Sequence, residues 1–319
     1  MIPLRWDEQP VGLRNPALVC AFTGWTDAGD AASSAVGVLA RRLESDLFAT
    51  VDPELLYTMQ PYRPQITISD GIATDLTWPT VELRMAVVPT ATRDLLLVSG
   101  PEPTMRWQSL SETLIETAQN LGATLVITLG GLLSDVPHTR PVPITGISTD
   151  TELIGPIGAM LPDYEGPTGL TGVLHHEAQK QGLDAVTLLA HVPHYVAGIP
   201  SPKATLALVE AVELLTAVPV PTTRLRAASE RYEQQVSEAI SRDPERREML
   251  ERLEQMADLR DVVGEDEGDE LSEIADAQIQ LNLGELPTGD VIADDFLEFL
   301  REAEEQNGTD EDAEEDDED

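Results

Sequence analysis

Two glycines and two aspartates crowd the stretch GWTDAGDAASS, residues 24 to 34, directly after the apolar run PALVCAFT. A turn of this composition between a strand and a helix suits three tasks: cradling a phosphate, exchanging protons, or closing a tight corner. The phosphate task fails on pattern. Gly24 and Gly29 have the gap of G-x-x-x-x-G-K-[ST], but Asp30 and Ala31 stand where the lysine and hydroxyl residue belong, and G-x-G-x-x-G is absent. It fails on charge as well, because Asp27 at the expected N-cap and Asp30 three residues on take up the free amides and repel an anion. The spacing Asp27-x-x-Asp30 predicts a capping box. Gly29, at about 1 kcal/mol less favourable than Ala inside a helix, predicts that another segment comes close there. Two uses remain: a packed corner with Gly24 and Gly29 as backbone turns, or a cleft where Trp25, Asp27 and Asp30 hold a cation, hydroxyl groups or a basic partner.

Other apolar runs end in similar text. DLLLVS is followed by GPEP, ATLVITL by GGLLSDVPHTRPVPITG, and AVTLLA by HVPHYVAG. Open α/β sheets bind ligands beyond the carboxyl ends of their strands. A candidate ligand cleft therefore gathers Asp135, His138, Arg140, His194 and Tyr195 with Trp25, Asp27 and Asp30, while Gly130 and Gly131 serve as backbone turns. No G-x-S-x-G elbow and no H-E-x-x-H helix occurs. His175 and His176 are adjacent, so on a helix their rings diverge by about 100°, and His191-x-x-His194 straddles Pro193. No complete set of nucleophile, base and oxyanion donors is found. The expectation is no catalytic residue, no metal and no cofactor.

The elements that must position these residues follow from periodicity. Between about 15 and 218, short runs rich in Val, Leu and Ile alternate with stretches of helical period, which predicts an α/β chain, three-layered α/β/α with a mostly parallel central sheet. Ala32, Ala35, Val36, Leu39 and Leu43 give the first helix its buried face. From 50 to 90 the β-formers QITIS, TDLTWP and VELRMAVV follow one another without a helix and predict antiparallel strands at one side. Two charged helices come next, with Asp243 as cap and Pro244 at the first helical position of the second. Leu250, Leu253 and Met256 form its apolar stripe. Residues 1–220 are read as the core domain, 221–263 as a helical hairpin, and 264–319 as a largely disordered acidic tail. A short amphipathic helix near 290–301 places Ile292, Phe296, Phe299 and Leu300 together as a partner-docking segment.

Charge narrows the partners. The formal net charge is −38, and residues 265–319 hold 24 Asp or Glu against one Arg, which places −23 of it there. So negative a chain is repelled by phosphate backbones and anionic membranes, and neither nucleic acid nor membrane is expected as a partner. The single cysteine, Cys20, lies within an apolar run and is expected to be buried and inert. Without a basic n-region or a long apolar stretch, the protein is expected to be soluble and cytoplasmic.

The stretches FTGWTDAGDAASSA, LGGLLSDVPHTRPVPITGIS, YEGPTGLTGVLHHEA and HVPHYVAGIPSPKATLALVEAV together resemble the actinobacterial branch of the proteasome assembly chaperone type 2 family. The resemblance covers about residues 15 to 218 and extends to the helical pair and the ending PTGDVIADDFLEFLRE. It implies a three-layer fold similar to nucleoside phosphorylase and hydrolase-like domains, and a protein-binding or assembly-chaperone-like role with no settled biochemical activity. The alternative is a small-molecule binder or hydrolase/phosphorylase-like enzyme using the strand-end cleft. Fold analogy also implies a homo-oligomer, a trimer being usual for such folds, and a protein partner is open. Gly24, Asp27, Gly29, Asp30, Gly130 and Gly131 match family motifs. No catalytic set carries over with them.

Overall fold

The computed structural model describes residues 1–69 and 71–263. The chain forms two compact units. One is built from Met1–Leu132, Val142–His191 and Ser201–Ser229, the other, among the described residues, from Leu133–Pro141, Val192–Pro200 and 230–263.

The first unit is organised around β2 (Ala17–Thr23), whose uninterrupted apolar text ALVCAFT marks a strand covered on both faces. It pairs in parallel with β7 (Leu95–Pro101) on one side and β8 (Leu125–Ser134) on the other. Beyond β7 come β6 (Glu82–Ala86), β3 (Asp46–Val51) and β1 (Leu4–Trp6), each antiparallel to its neighbour. Beyond β8 lie β10 (Asp184–Pro193) and, antiparallel to it, β9 (Ile144–Ser148). The sheet therefore has eight strands in the order β1-β3-β6-β7-β2-β8-β10-β9.

Alternation along β2 decides which helices cover which face. Leu18, Cys20 and Phe22 pack in one core with Leu110, Leu114, Ile115 and Ala118 of α2 (Trp107–Asn120) and with Leu170, Leu174 and Ala178 of α3 (Leu170–Lys180). Val19 and Ala21 point to the opposite face. There α1 (Ala31–Arg42) buries Ala32, Ala35, Val36 and Leu39 and packs against α4 (Pro202–Thr216).

The text between 50 and 90 divides. Within VELRMAVV, β6 extends the sheet in antiparallel fashion, as expected, and β3, which is not among the expected strands, lies beside it, but QITIS and the strand overlapping TDLTWP leave it. They form β4 (Gln65–Ser69) and β5 (Ile72–Thr77), a separate two-stranded sheet whose described residues are all exposed. No helix lies between or beside them in sequence to cover their apolar side chains.

A buried carboxylate fixes the start of the central pair. Asp94, fully buried just before β7, accepts from the backbone amide of Arg14 (2.7 Å), from Arg14 Nη2 (2.7 Å) and Nε (3.3 Å), and from the Val88 amide (2.9 Å). Arg14 in turn donates to the carbonyls of Val88 (2.7 Å) and Ala91 (3.0 Å). Burial works against the Asp94 anion, yet the hydrogen bonds and charge of Arg14, with the Val88 amide, hold its carboxyl below the ordinary value.

In the second unit, α5 (Thr223–Ser241) contributes its part from Glu230, and α6 (Pro244–Val263) follows after Arg242 and Asp243. Asp243 accepts from the Glu245 amide (2.9 Å) and its carbonyl from the Arg247 amide (3.1 Å), which starts α6 at Pro244. Tyr195, Val196, Tyr232, Val236, Ile240, Met249 and Leu253 are the buried core, with Leu250 and Met256 at its margin. The stripe of α6 covers its own unit.

Asp94→Asn removes a buried, multiply bonded charge and is expected to cost on the order of 3 kcal/mol. Since the folded carboxyl lies below its unfolded value of about 3.9, this stability is complete above that pH and is lost as pH falls through the folded value. Thermal melts from pH 7 to pH 2 should show a lower Tm for the variant at neutral pH and a flatter decline below about pH 4.

Candidate functional site

The corner after β2 is a short 3-10 turn, Ala28–Asp30, leading into α1 at Ala31. Asp27 is the residue that closes it. Its Oδ1 accepts from the amides of Ala32 (2.8 Å) and Ser33 (3.1 Å), so the first turn of α1 is capped from a residue lying one turn upstream. Asp27 is 6% exposed, and its Oδ2 is buried with no hydrogen-bond partner. Burial raises its pKa, opposed by the Ser33 hydroxyl and by the amides of Ser33 and Ala32.

One expectation is corrected here. Asp30 makes no capping bond with its side chain, stays exposed, and serves by its left-handed backbone (φ 47°), so Asp27-x-x-Asp30 is not a capping box. Gly29 has positive φ (58°) and is buried, and a second segment does come close there, the Ser201 amide donating to its carbonyl at 2.7 Å. A further close approach occurs across the corner, at the β8 glycines. A Cβ on Gly131 would lie 2.7 Å from the Ala28 carbonyl oxygen, and one on Gly130 would lie 3.1 Å from that of Thr26. Their bareness lets the Gly131 amide donate to the Thr26 carbonyl at 2.8 Å.

Sequence reasoning passed over Glu102, although it noted the GPEP text that contains it. The Glu102 amide donates to the Thr23 carbonyl (2.8 Å), and its Oε1 accepts from the Leu170 amide (2.9 Å) at the start of α3. Gly24 and Gly169 lie against its side chain, and Trp25, 64% exposed, lies beside Gly169. After β2 the chain enters α1, and after β7 it enters α2 on the other face, so this carboxylate and this indole stand where the connections diverge.

Trp25, Asp27 and Asp30 belong to the first unit, and the remaining candidates, Asp135, His138, Arg140, His194 and Tyr195, to the second. Within the second, His194 Nδ1 lies 2.9 Å from Asp135 Oδ1. Arg140 grips Asp258 of α6 in bidentate fashion, Nε to Oδ1 at 2.6 Å and Nη2 to Oδ2 at 2.9 Å, and Nη1 reaches Glu254 at 3.3 Å. The Arg140 hydrogen bonds hold the Asp258 carboxyl below its ordinary value.

His138 is buried between two hydroxyls, with Nδ1 2.9 Å from Tyr195 Oη and Nε2 2.8 Å from Ser237 Oγ. Tyr195 Oη also accepts from the His138 amide at 2.8 Å, so the segment carrying His138 is tied to Tyr195 through both its backbone and its ring. The ring acts as a pin between strand end and α5.

His175 Nδ1 meets the Thr187 hydroxyl at 3.0 Å, and His191 Nε2 meets that of Thr145 at 2.8 Å. Among the described residues no three His, Cys, Asp or Glu side chains cluster as metal ligands. Cys20 is buried, and burial pushes its thiol pKa up. Ile292, Phe296, Phe299 and Leu300 lie outside the described residues.

A surface that the sequence did not single out is the β4–β5 hairpin. Ile66 pairs directly with Leu76, and Ile68 with Ala73, which puts them on one face, and these three large side chains are 56%, 50% and 61% exposed in the order Ile66, Leu76, Ile68. Trp78 follows two residues after Leu76 and is 41% exposed. The opposite face carries Thr67 with Asp75 and Ser69 with Ile72.

A family model described as the PAC2 family matches residues 21–240. Among solved structures, a proteasome-assembly chaperone homologue from Mycobacterium tuberculosis is 40% identical, with 73% of this chain and 99% of that chain covered at a TM-score of 0.69. A PAC2 family protein from Streptomyces avermitilis is 42% identical over 74% of this chain and 99% of that one, TM-score 0.67. PbaB, an archaeal proteasome activator from Pyrococcus furiosus, shares the fold at 18% identity, with 74% and 98% covered and a TM-score of 0.59. None of the curated proteins matches the chain.

Tyr195→Phe deprives both the His138 amide and Nδ1 of their partner and is expected to cost about 1–3 kcal/mol. Urea titration of the variant beside the native protein should show the lower midpoint, and an unchanged midpoint would contradict the bracing role of these bonds.

Proposed function

This chain belongs to the PAC2 family, and from that premise we propose that it works in the cytoplasm by binding protein, as an assembly-type factor that also self-associates, without a cofactor. The observation that carries this is the uncovered apolar face of the β4–β5 hairpin. A lone two-stranded sheet is marginal in water, and an exposed apolar strip on one marks an interaction surface. The printed descriptions of relatives, a proteasome-assembly chaperone homologue and a proteasome activator, support the same class of work. In this proposal residues 1–220 are the scaffold, 221–263 a helical accessory, and the acidic segment 264–319 a second point of engagement through Ile292, Phe296, Phe299 and Leu300.

The competing proposal places a small ligand in the divergence between β2 and β7, and the exposed Trp25 beside Glu102 favours it. A carboxylate and an indole together suit an organic cation. In a thermal-shift screen of amines and nucleosides, a genuine ligand would raise Tm in the native protein and not in Trp25→Ala or Glu102→Gln. A screen without any shift removes this alternative.

To test the protein-binding role, a benzophenone amino acid is placed at Ile68 of the full chain and irradiated in cells. Covalent adducts to protein, whether to the chain itself or to another, are expected from this position and not from Val11, an exposed residue elsewhere. Deleting residues 265–319 should in addition abolish adducts to any partner other than the chain itself. Adduct yield at Ile68 no greater than at Val11 would overturn the proposal.

A further inference from the structure

We propose that the corner between β2 and β7 receives the ammonium group of a lysine carried by a partner protein, held between the Trp25 ring and one oxygen of Glu102. The inference rests on the protein-binding role and names the chemistry that the partner presents. Trp25 is 64% exposed, and Glu102 is partly buried. A Cβ on Gly169 would lie 3.0 Å from Glu102 Oε1 and 3.5 Å from Trp25 Cε3, so bare backbone at this one point lets the carboxylate and the indole stand side by side. On the other flank Gly24, at φ 140°, is equally close, since its Cβ would lie 3.2 Å from Glu102 Cβ and 3.5 Å from Oε2.

Hydrogen bonding selects the cation. Glu102 Oε1 accepts from the Leu170 amide at 2.9 Å, whereas Oε2 has no partner among the described residues and no basic side chain among them pairs with it. A guanidinium is gripped best by a fork that uses both oxygens of a carboxylate. With Oε1 drawn against Gly169 and Leu170, one oxygen remains, and that suits the compact point charge of an ammonium. The indole attracts the same group when it lies within about 6 Å of the ring. An anion meets the carboxylate and is repelled, and a neutral apolar group gains the ring but leaves Glu102 without a counter-charge.

Magnitude decides between a free amine and one carried by a protein. An exposed cation–π contact and an exposed ion pair are each worth roughly a factor of two to five. Their product, on the order of tenfold, does not retain a free amine at millimolar concentration. The same factor counts once other contacts of an interface hold the lysine at high effective concentration beside the corner. The net charge of −38 acts at longer range and favours a partner with a basic surface.

In the full chain, Trp25 is replaced by fluorosulfate-tyrosine, an aromatic residue that forms a covalent bond with a lysine amine held against it. Adducts formed in cells are mapped by peptide mass spectrometry. Adducts on lysines of a second protein are expected, with a yield at least fivefold lower when Glu102→Gln is added. Glutamine keeps an oxygen for the Leu170 amide, and the Tm of Glu102→Gln should match that of the native protein. The residue type that reacts is read without this variant, and adducts on tyrosine or histidine instead of lysine overturn the inference. A yield indifferent to Glu102→Gln overturns it as well. N-acetyl-lysine methylamide at 10 mM should leave the Tm of the native protein unmoved, and a rise that Trp25→Ala abolishes would assign the corner to free amines and overturn the protein-borne lysine. Adducts from Ile68 with none from position 25 would overturn this inference and leave the protein-binding role standing, whereas no adduct from either position would overturn both.

Discussion

The buried carboxylate of Asp94 is the constraint from which the first unit is laid out. It joins the chain just before β2 to the chain just before β7, with the Asp94 amide donating to the Arg14 carbonyl and the Ala17 amide to the Asp94 carbonyl. Ala17 therefore stands opposite Leu95, and the parallel register runs in step from there to Thr23 opposite Pro101. Parallel strands have no hairpin turn to set their alignment, so a side-chain clamp at the amino ends takes over that duty. Because the strands end level, the Glu102 amide reaches the Thr23 carbonyl and its carboxylate reaches α3. The carboxyl-end corner is thus determined some seven residues upstream of it.

At that corner three helix openings receive side-chain oxygens from within. Asp27 takes the Ala32 and Ser33 amides at the start of α1, Glu102 takes the Leu170 amide of α3, and Ser201 accepts from the Ala204 amide at the start of α4. Free amides of this kind bind phosphate in other open α/β sheets. At α1 and α3 an incoming anion would have to displace a bonded carboxylate and face its charge, whereas α2 starts without a side-chain cap. The carboxylate of Glu102 and the exposed ring of Trp25 give the corner between β2 and β7 a character opposite to that of a phosphate cradle.

Much of this was readable from residue types, and the failures share one cause. The run ALVCAFT announces a central strand, the spacing of Ala32, Ala35, Val36 and Leu39 announces a helix face, and Asp243 with Pro244 announces a helix start, because in each case the deciding neighbours are local. Asp27 is legible as a cap, but the intervening 3-10 turn conceals that it works alone and that Asp30 contributes its positive φ instead of its carboxylate. Contacts across long separations were not legible. His138 and Ser237 lie 99 residues apart, so the pin has no sequence signature. Glu102 was missed because a single acid after a strand looks like any surface residue until α3 is brought to it. The runs QITIS and TDLTWP read as strands at one side of the main sheet, since alternation reports that one face seeks cover and says nothing about what supplies it.

An amphipathic strand pair ordinarily lies with its apolar face on a core of its own domain. Here Ile66, Ile68, Leu76 and Trp78 stay about half-exposed, because β4 and β5 follow one another with only Asp70 and Gly71 between them and no α-helix lies between β3 and β6 to reach back over them. Residues 60–81 carry only Arg63, Asp70 and Asp75 as charged groups in a chain of net charge −38. Whatever meets this strip therefore meets it through short-range apolar contact and shape, while long-range charge acts from the rest of the molecule.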